Sequence, residues 1–250
     1  MVVGTNSSCG KSFVTTAILR YLNNKGISAA PFKAQNISLN SYITNENKEI
    51  AYSTYVQSLA ARVPAKAIMN PVLIKPARDK TQIIVNGEVI YTGAYQNYDN
   101  YLERIKKNVQ EAFLKLSKEY DVIVIEGAGS SAEINMDNDI ANSFIAEIAK
   151  QYSILVGDIH WGGVFASLHG TLDLMPKSLK NTMKSFLINR YSGEKNILQK
   201  GIEVIEDKHN VKCLGVLPFD SKLRLPDEDF DFLKISQRKK PHIKKVLLEF

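Results

Sequence analysis

The chain has 250 residues, 44% hydrophobic and 23% charged, which is enough to bury a full core and ordinary for a soluble globular protein. No apolar run approaches the roughly 20 residues that span a bilayer, and the start lacks a basic-then-apolar leader, so no membrane partner is expected. Two cysteines far apart, Cys9 and Cys213, exclude a disulfide framework or a cysteine-rich metal cluster and point to a reducing cytoplasm. Of the net charge of +6, the stretch from Lys234 to Phe250 carries +5 (Lys234, Arg238, Lys239, Lys240, Lys244 and Lys245 against Glu249). No aromatic residues interleave with these cations to stack on bases, so the basic run reads as a linker and not as a nucleic-acid surface.

In chain order, the apolar start Met1–Val3 leads into Gly4-Thr5-Asn6-Ser7-Ser8-Cys9-Gly10-Lys11-Ser12. Val14, Ala17, Ile18, Tyr21 and Leu22 then recur at helical spacing, with Gly26 at the expected stop. Strand, glycine-rich turn, Lys-Ser and helix form the context of a phosphate-binding loop. Backbone N–H groups and a helix N-terminus face the polyanion, Lys11 reaches the outer phosphates, and the Ser12 hydroxyl suits Mg²⁺. Gly4, Thr5, Asn6 and Gly10 shape this nucleotide site. Five residues, one more than usual, separate the first glycine from Gly-Lys.

Ile27–Phe32 reads as a second strand, followed by Lys33-Ala34-Gln35-Asn36-Ile37-Ser38-Leu39-Asn40-Ser41. One lysine and three amides beyond a strand end suit anion or substrate binding, and they suit a solvated loop equally well. Glu49 precedes a helical pattern (Tyr52, Tyr55, Val56, Leu59, Ala60, Val63) that Pro64 ends. Met69–Pro76 and Gln82–Val85 read as short extended pieces with a turn at Asn86-Gly87. Leu102, Ile105, Val109, Phe113 and Leu116 mark a helix.

Tyr120–Ile125 is a buried-strand run that delivers Glu126 at its carboxyl end, where a phosphate-loop enzyme places a second Mg²⁺-holding group. Beyond it lie Glu133, Asn135, Asp137 and Asp139, with Asp137 and Asn138 read as caps of the helix through Ile140, Phe144, Ile145 and Ile148. Ile154–Val156 leads to Asp158, Phe186–Ile188 to Asn189-Arg190, and Cys213–Leu217 to Pro218. Repeated strand–helix units predict an α/β fold with a doubly wound, mostly parallel sheet of the P-loop type, whose polar residues gather past the strand carboxyl ends. The four histidines have no zinc spacing: His169 reads as structural, and His160 alone stands at a ligand edge.

These motifs together resemble the synthetase domain of the cobyric acid synthase family, within the dethiobiotin synthetase-like P-loop superfamily. The long spacer of the phosphate loop, Lys33–Ser41, Met69–Pro76, Glu126–Asn135, Asp139-Ile140 with Asn142, Gly162–Ala166, Ile188–Arg190 and Leu214–Pro218 match in order. The resemblance implies an ATP- and Mg²⁺-dependent ligase of cobalamin biosynthesis. It would amidate peripheral carboxylates of a corrinoid, adenosylcobyrinic acid a,c-diamide, through acyl phosphates. It gives Lys33 to the moving phosphoryl group beside Lys11 and Glu126, and adds Glu49 to Ser12 and Glu126 as a metal ligand. Asn189, Arg190 and Pro218 go to the adenine edge, and Gln35, Asn36, Asn40, Glu133, Asn135 and Asp158 to the acceptor side.

Two departures stand out: the family's Asp-Ile-Asp-Arg-Gly-Gly is here Asp158-Ile159-His160-Trp161-Gly162-Gly163, and Ser192 replaces a common arginine. An indole cannot replace a bidentate guanidinium clamp. Residues 1–227 are expected to form the ATP-binding synthetase domain, 228–242 a basic linker and 243–250 the first strand of a truncated glutaminase-type domain. Ammonia would then come from free solution or a separate glutaminase domain, and a homodimer is compatible with this arrangement. Rival readings are a partitioning or division-site ATPase that dimerises on ATP, a dethiobiotin synthetase, and a decayed copy that binds ATP without turnover. The first usually carries a second lysine where Thr5 and Asn6 stand, and the Gln35-Asn36 and Asn40-Ser41 pairs argue against the second.

Overall fold

A computed structural model describes residues 1–76, 80–223 and 225, without the side chains of 95–97 and 195. The linker and strand expected over 228–242 and 243–250, and the basic run from Lys234, lie outside the described residues. In chain order the elements are β1 (Val2–Gly4), α1 (Lys11–Asn24), β2 (Ala29–Phe32), β3 (Gln35–Ile37), β4 (Ser41–Ile43), β5 (Glu49–Ala51) and α2 (Tyr52–Ala61). They continue with β6 (Val72–Pro76), β7 (Thr81–Val85), β8 (Glu88–Gly93), α3 (Leu102–Leu116), β9 (Val122–Ile125), α4 (Ile145–Ala149) and β10 (Ser153–Asp158). The last are α5 (Val164–Leu174), α6 (Lys177–Thr182), β11 (Met183–Tyr191), α7 (Gln199–His209) and β12 (Lys212–Pro218). The expected α/β class is observed.

Two compact units share the chain. Met1–Val14 with Ile125–Ser221 forms the first, and Thr15–Val124 makes up most of the second. In the first, β1, β10, β11 and β12 pair side by side, all parallel. Parallel strands buried on both faces read as unbroken apolar runs, which is why Ile154–Val156 and Phe186–Ile188 were legible. Leu155, Leu168, Leu179, Phe186 and Ile188 pack as one fully buried cluster with Val3 and Met183, each large side chain contributing about 1.5–3 kcal/mol. Parallel pairing sends all four strand ends the same way, and Glu126 joins that edge through a parallel bridge to Val2.

The second unit is less regular. β3 pairs parallel with β6, but β6–β7 and β7–β8 are antiparallel, and β4–β5 makes a separate antiparallel pair. The stretch read as a polar loop from Lys33 to Ser41 instead holds β3 and the start of β4, with Lys33 and Asn36 buried. Its backbone groups enter a sheet, so the amides that suggest a loop are carried inside. Asn86 and Gly87, both at positive φ, turn β7 into β8, a strand the sequence reading missed. α2 ends at Arg62 in the left-handed region, just before Pro64.

Candidate nucleotide site

The phosphate loop is built by compensations between residues far apart in sequence. Thr5 N–H donates to the Val156 carbonyl at 3.0 Å, carrying the chain straight off β1. Ser8 and Gly10 then take φ values of 61° and 107°, folding the loop back so that α1 starts at Lys11. Gly10 is required twice over: its φ disfavours any Cβ, and a Cβ there would sit 2.0 Å from Asn189 Nδ2. Cys9, the last residue of the long spacer, points into the interior with no exposure, and a Cβ on Gly4 would meet its sulfur at 2.3 Å.

Lys11 is buried, and its ammonium donates to the carbonyls of Asn6 (3.0 Å) and Gly129 (2.8 Å). A buried charge needs such acceptors, and these hold the ammonium under the loop that a phosphate would cross. At the head of α1, Ser12 Oγ donates to Glu126 Oε1 at 2.7 Å, and Glu126 is fully buried. A hydroxyl and a carboxylate, both oxygen donors, fit a hard divalent cation such as Mg²⁺.

Sequence reasoning missed the braces of this site. Ser131 donates to the Gly4 carbonyl from both its N–H (3.0 Å) and its Oγ (3.2 Å). Asn142 Nδ2 donates to the Ala128 carbonyl at 2.8 Å, and a Cβ on Gly127 would lie 2.1 Å from Asn142 Oδ1. The only advance signal was that Ser131 and Asn142 stood in matching motifs. Asp139, not Asp137 or Asn138, caps the following turn by accepting from Asn142 N–H at 2.9 Å, and burial pushes its carboxyl pKa up. That turn opens as a π-helical segment, Ile140–Phe144, before α4.

At the end of β11, Asn189 is buried and donates from Nδ2 to the Cys9 carbonyl at 2.9 Å, so this strand end abuts the phosphate loop. Arg190, at φ 61°, pairs with Asp158 Oδ2 at 2.9 Å, while Asp158 Oδ1 accepts the His160 N–H at 2.9 Å. Pro218 pairs with Tyr191 in register and is exposed. Glu133 and Asn135 are also exposed.

The remaining expected residues belong to the second unit. Gln35 Oε1 accepts from the Tyr98 hydroxyl at 2.6 Å. Asn36 is buried, and its amide nitrogen has no partner among the described residues. The Asn40 N–H donates to Ser38 Oγ at 3.0 Å. Lys33 is fully buried, and its carbonyl accepts from Asn70 Nδ2 at 2.9 Å. Glu49 binds the Ser41 hydroxyl and the Lys75 ammonium. His169, read as structural, does pair across helices, its Nδ1 lying 2.8 Å from His209 Nε2. No described helix is long and apolar enough to cross a membrane.

The family described as CbiA, the CobQ/CobB/MinD/ParA nucleotide binding domain, matches residues 1–230. The chain is 46% identical over 231 residues to a cobyric acid synthase of Clostridium botulinum (strain Langeland), covering 92% of this chain and 47% of that protein. It is 43% identical over 236 residues to a probable cobyric acid synthase of Methanocaldococcus jannaschii, covering 94% and 48%. A probable cobyric acid synthase of Methanococcus maripaludis is 45% identical over 235 residues, covering 92% and 47%. The chain therefore spans about half the length of the curated relatives it matches.

Proposed function

The chain belongs to the CobQ/CobB/MinD/ParA nucleotide-binding domain family, and from that premise we propose that it is the ATP-dependent synthetase part of a carbon–nitrogen ligase of cobalamin biosynthesis. Its acceptor would be a corrinoid bearing several peripheral carboxylates, adenosylcobyrinic acid a,c-diamide. Ammonia would arrive from solution or from a glutaminase domain, and the cytoplasm is the setting. The observation that carries this reading is the Ser12–Glu126 hydrogen bond at the head of α1, beside a lysine anchored beneath the loop.

A carboxylate resists attack by ammonia because it is anionic and lacks a good leaving group. One of its oxygens would attack the γ-phosphorus of ATP, breaking the bond to the β,γ-bridging oxygen and releasing ADP. The acyl carbon then accepts the lone pair of ammonia, phosphate leaves with the C–O electron pair, and nitrogen loses a proton. Such transfers need positioning and charge neutralisation more than covalent help. Lys11 and the amides of the loop and first turn of α1 would neutralise the β- and γ-phosphates, and Lys33 the transferring group. Ser12 and Glu126, with Glu49 as a further carboxylate, would hold Mg²⁺, which supplies Lewis-acid polarisation of the phosphoryl oxygens. Asn189, Arg190 and Pro218 would border the adenine. Gln35, Asn36, Asn40, Glu133, Asn135 and Asp158 would face the acceptor, where the unpaired amide of Asn36 supports a polar ligand.

The test is to incubate the chain with ATP, Mg²⁺, ammonium salt and the a,c-diamide and follow ADP release and corrinoid mass together. Each carboxyl-to-amide exchange should lower the mass stepwise, and Lys11→Ala should abolish acceptor-dependent ADP formation. Full turnover in that variant would refute the assignment. ATP-driven dimerisation in light scattering with no amide formed would move the chain to the partitioning-ATPase branch of its family.

A further inference from the structure

Three rings on the rim of the first unit's sheet take no part in the chemistry above. His160 and Trp161 follow β10, and Phe219 follows β12. The His160 ring stands nearly perpendicular to the Trp161 indole, with centroids 4.7 Å apart, and lies 6.0 Å from the Phe219 ring. Trp161 is 85% exposed and Phe219 50% exposed. A contiguous exposed aromatic patch forgoes a large burial gain and marks a surface that meets something.

The backbone beneath these rings is fixed. Asp158 holds the His160 N–H with one oxygen and Arg190 with the other. The Phe219 N–H donates to the Tyr191 carbonyl at 2.8 Å. Both anchors involve the end of β11, where Asn189 is itself bonded to the phosphate loop. β11 is the second strand over from β1, about 10 Å away at ordinary strand spacing. A nucleotide with its phosphates on the loop has its base displaced from them by the length of a ribose, and this rim lies in reach. The guanidinium of Arg190 is neutralised by Asp158, so the patch offers π-faces without net charge, which suits an uncharged planar heteroaromatic group.

Resting on the nucleotide-site reading, we infer that His160, Trp161 and Phe219 form an aromatic platform for the purine base of the bound nucleotide, one ring meeting the face of the base and the ring perpendicular to it meeting the edge.

Trp161 is the only tryptophan in the chain, so its emission reports this platform alone. The experiment titrates the chain with ADP and, separately, with inorganic tripolyphosphate, which has the charge without the base. ADP should change Trp161 emission saturably, and tripolyphosphate should bind with little emission change. Trp161→Ala and Phe219→Ala, both at exposed positions that should leave folding intact, should weaken ADP binding roughly 5- to 150-fold by calorimetry, the range of base–aromatic stacking. Their tripolyphosphate affinity should stay at the parent value, and Trp161→Phe should recover most of the ADP affinity. Unchanged ADP affinity in both alanine variants overturns the platform, as does emission that follows protein concentration alone and so reports a second copy covering the rings. If the parent chain binds neither ADP nor tripolyphosphate, the nucleotide-site reading itself fails, and the platform with it.

Discussion

Ser12 Oγ donates a 2.7 Å hydrogen bond to Glu126 Oε1 across 114 residues of sequence, joining the start of α1 to the residue that follows β9. Neither residue specifies a cation site alone; at bonding distance, with Glu126 shielded from water, they form a paired oxygen set. Glu126→Gln keeps the shape and removes the charge. We expect turnover to fall by about 10²–10³ and the Mg²⁺ concentration for half-maximal ADP release to rise, while the circular dichroism spectrum is unchanged. A Mg²⁺ titration of the purified variant measures both.

Gly10 tests the strand-to-loop contact. Alanine there must tolerate φ 107° and a Cβ placed 2.0 Å from Asn189 Nδ2, and strained backbone alone costs about 1–3 kcal/mol. Gly10→Ala should lose nucleotide binding in calorimetry and lower the urea midpoint. Adding Asn189→Ala relieves the clash but not the φ, so the double variant should regain only part of the stability.

Asp139 supports the segment that braces Gly127 and Ala128 through Asn142. Asp139→Ala should cost about 0.5–2 kcal/mol, the usual loss of a helix N-cap, read from urea unfolding. Asp139→Asn retains an acceptor and should lose less.

The α5–α7 contact carries a pH signature. Burial, with the neighbouring His169 charge adding to it, lowers the His209 pKa below its ordinary 6.5; Lys208 and Lys180 act the same way and Asp173 opposes them. Below 6.5 the unfolded chain binds a proton that the folded chain resists. The contribution is therefore complete above about 6.5 and is lost as pH falls through the lowered folded value. Urea midpoints measured from pH 7.5 down to 5 should drop more steeply in the parent than in His209→Gln.

Much of this was legible because single-residue chemistry and local period carry it. Lys11, Ser12 and Glu126 lie beside apolar strands whose runs are unmistakable, and α3 buries Leu102, Ile105, Val109 and Leu116 as its spacing predicts. The first helix was read less well. Tyr21, placed on the apolar stripe, is 61% exposed, while Thr15, Thr16 and Arg20 are buried, because tertiary neighbours and not hydropathy set that face. β8 escaped notice since Glu88–Gly93 is half-exposed along its length and its apolar run, Val89-Ile90-Tyr91, is only three residues long. Lys33–Ser41 was legible only in part: amide-rich sequence is the mark of a turn, and Ser38–Asn40 does lie between strands, yet Gln35–Ile37 enters a sheet. The bonds from Asn189 to Cys9 and from His169 to His209 span 180 and 40 residues, and nothing in the order of a chain announces such pairs.

Cys9 gives the phosphate loop a consequence of its own. Its sulfur is sealed beneath the turn, whereas Cys213 on β12 is half-buried. A thiol-alkylating reagent will mark Cys213 in the intact protein and reach Cys9 only when the turn lifts off its bed. The two labelling rates, taken from one digest, form an internal clock for how often that lifting occurs, with Cys213 correcting for reagent strength.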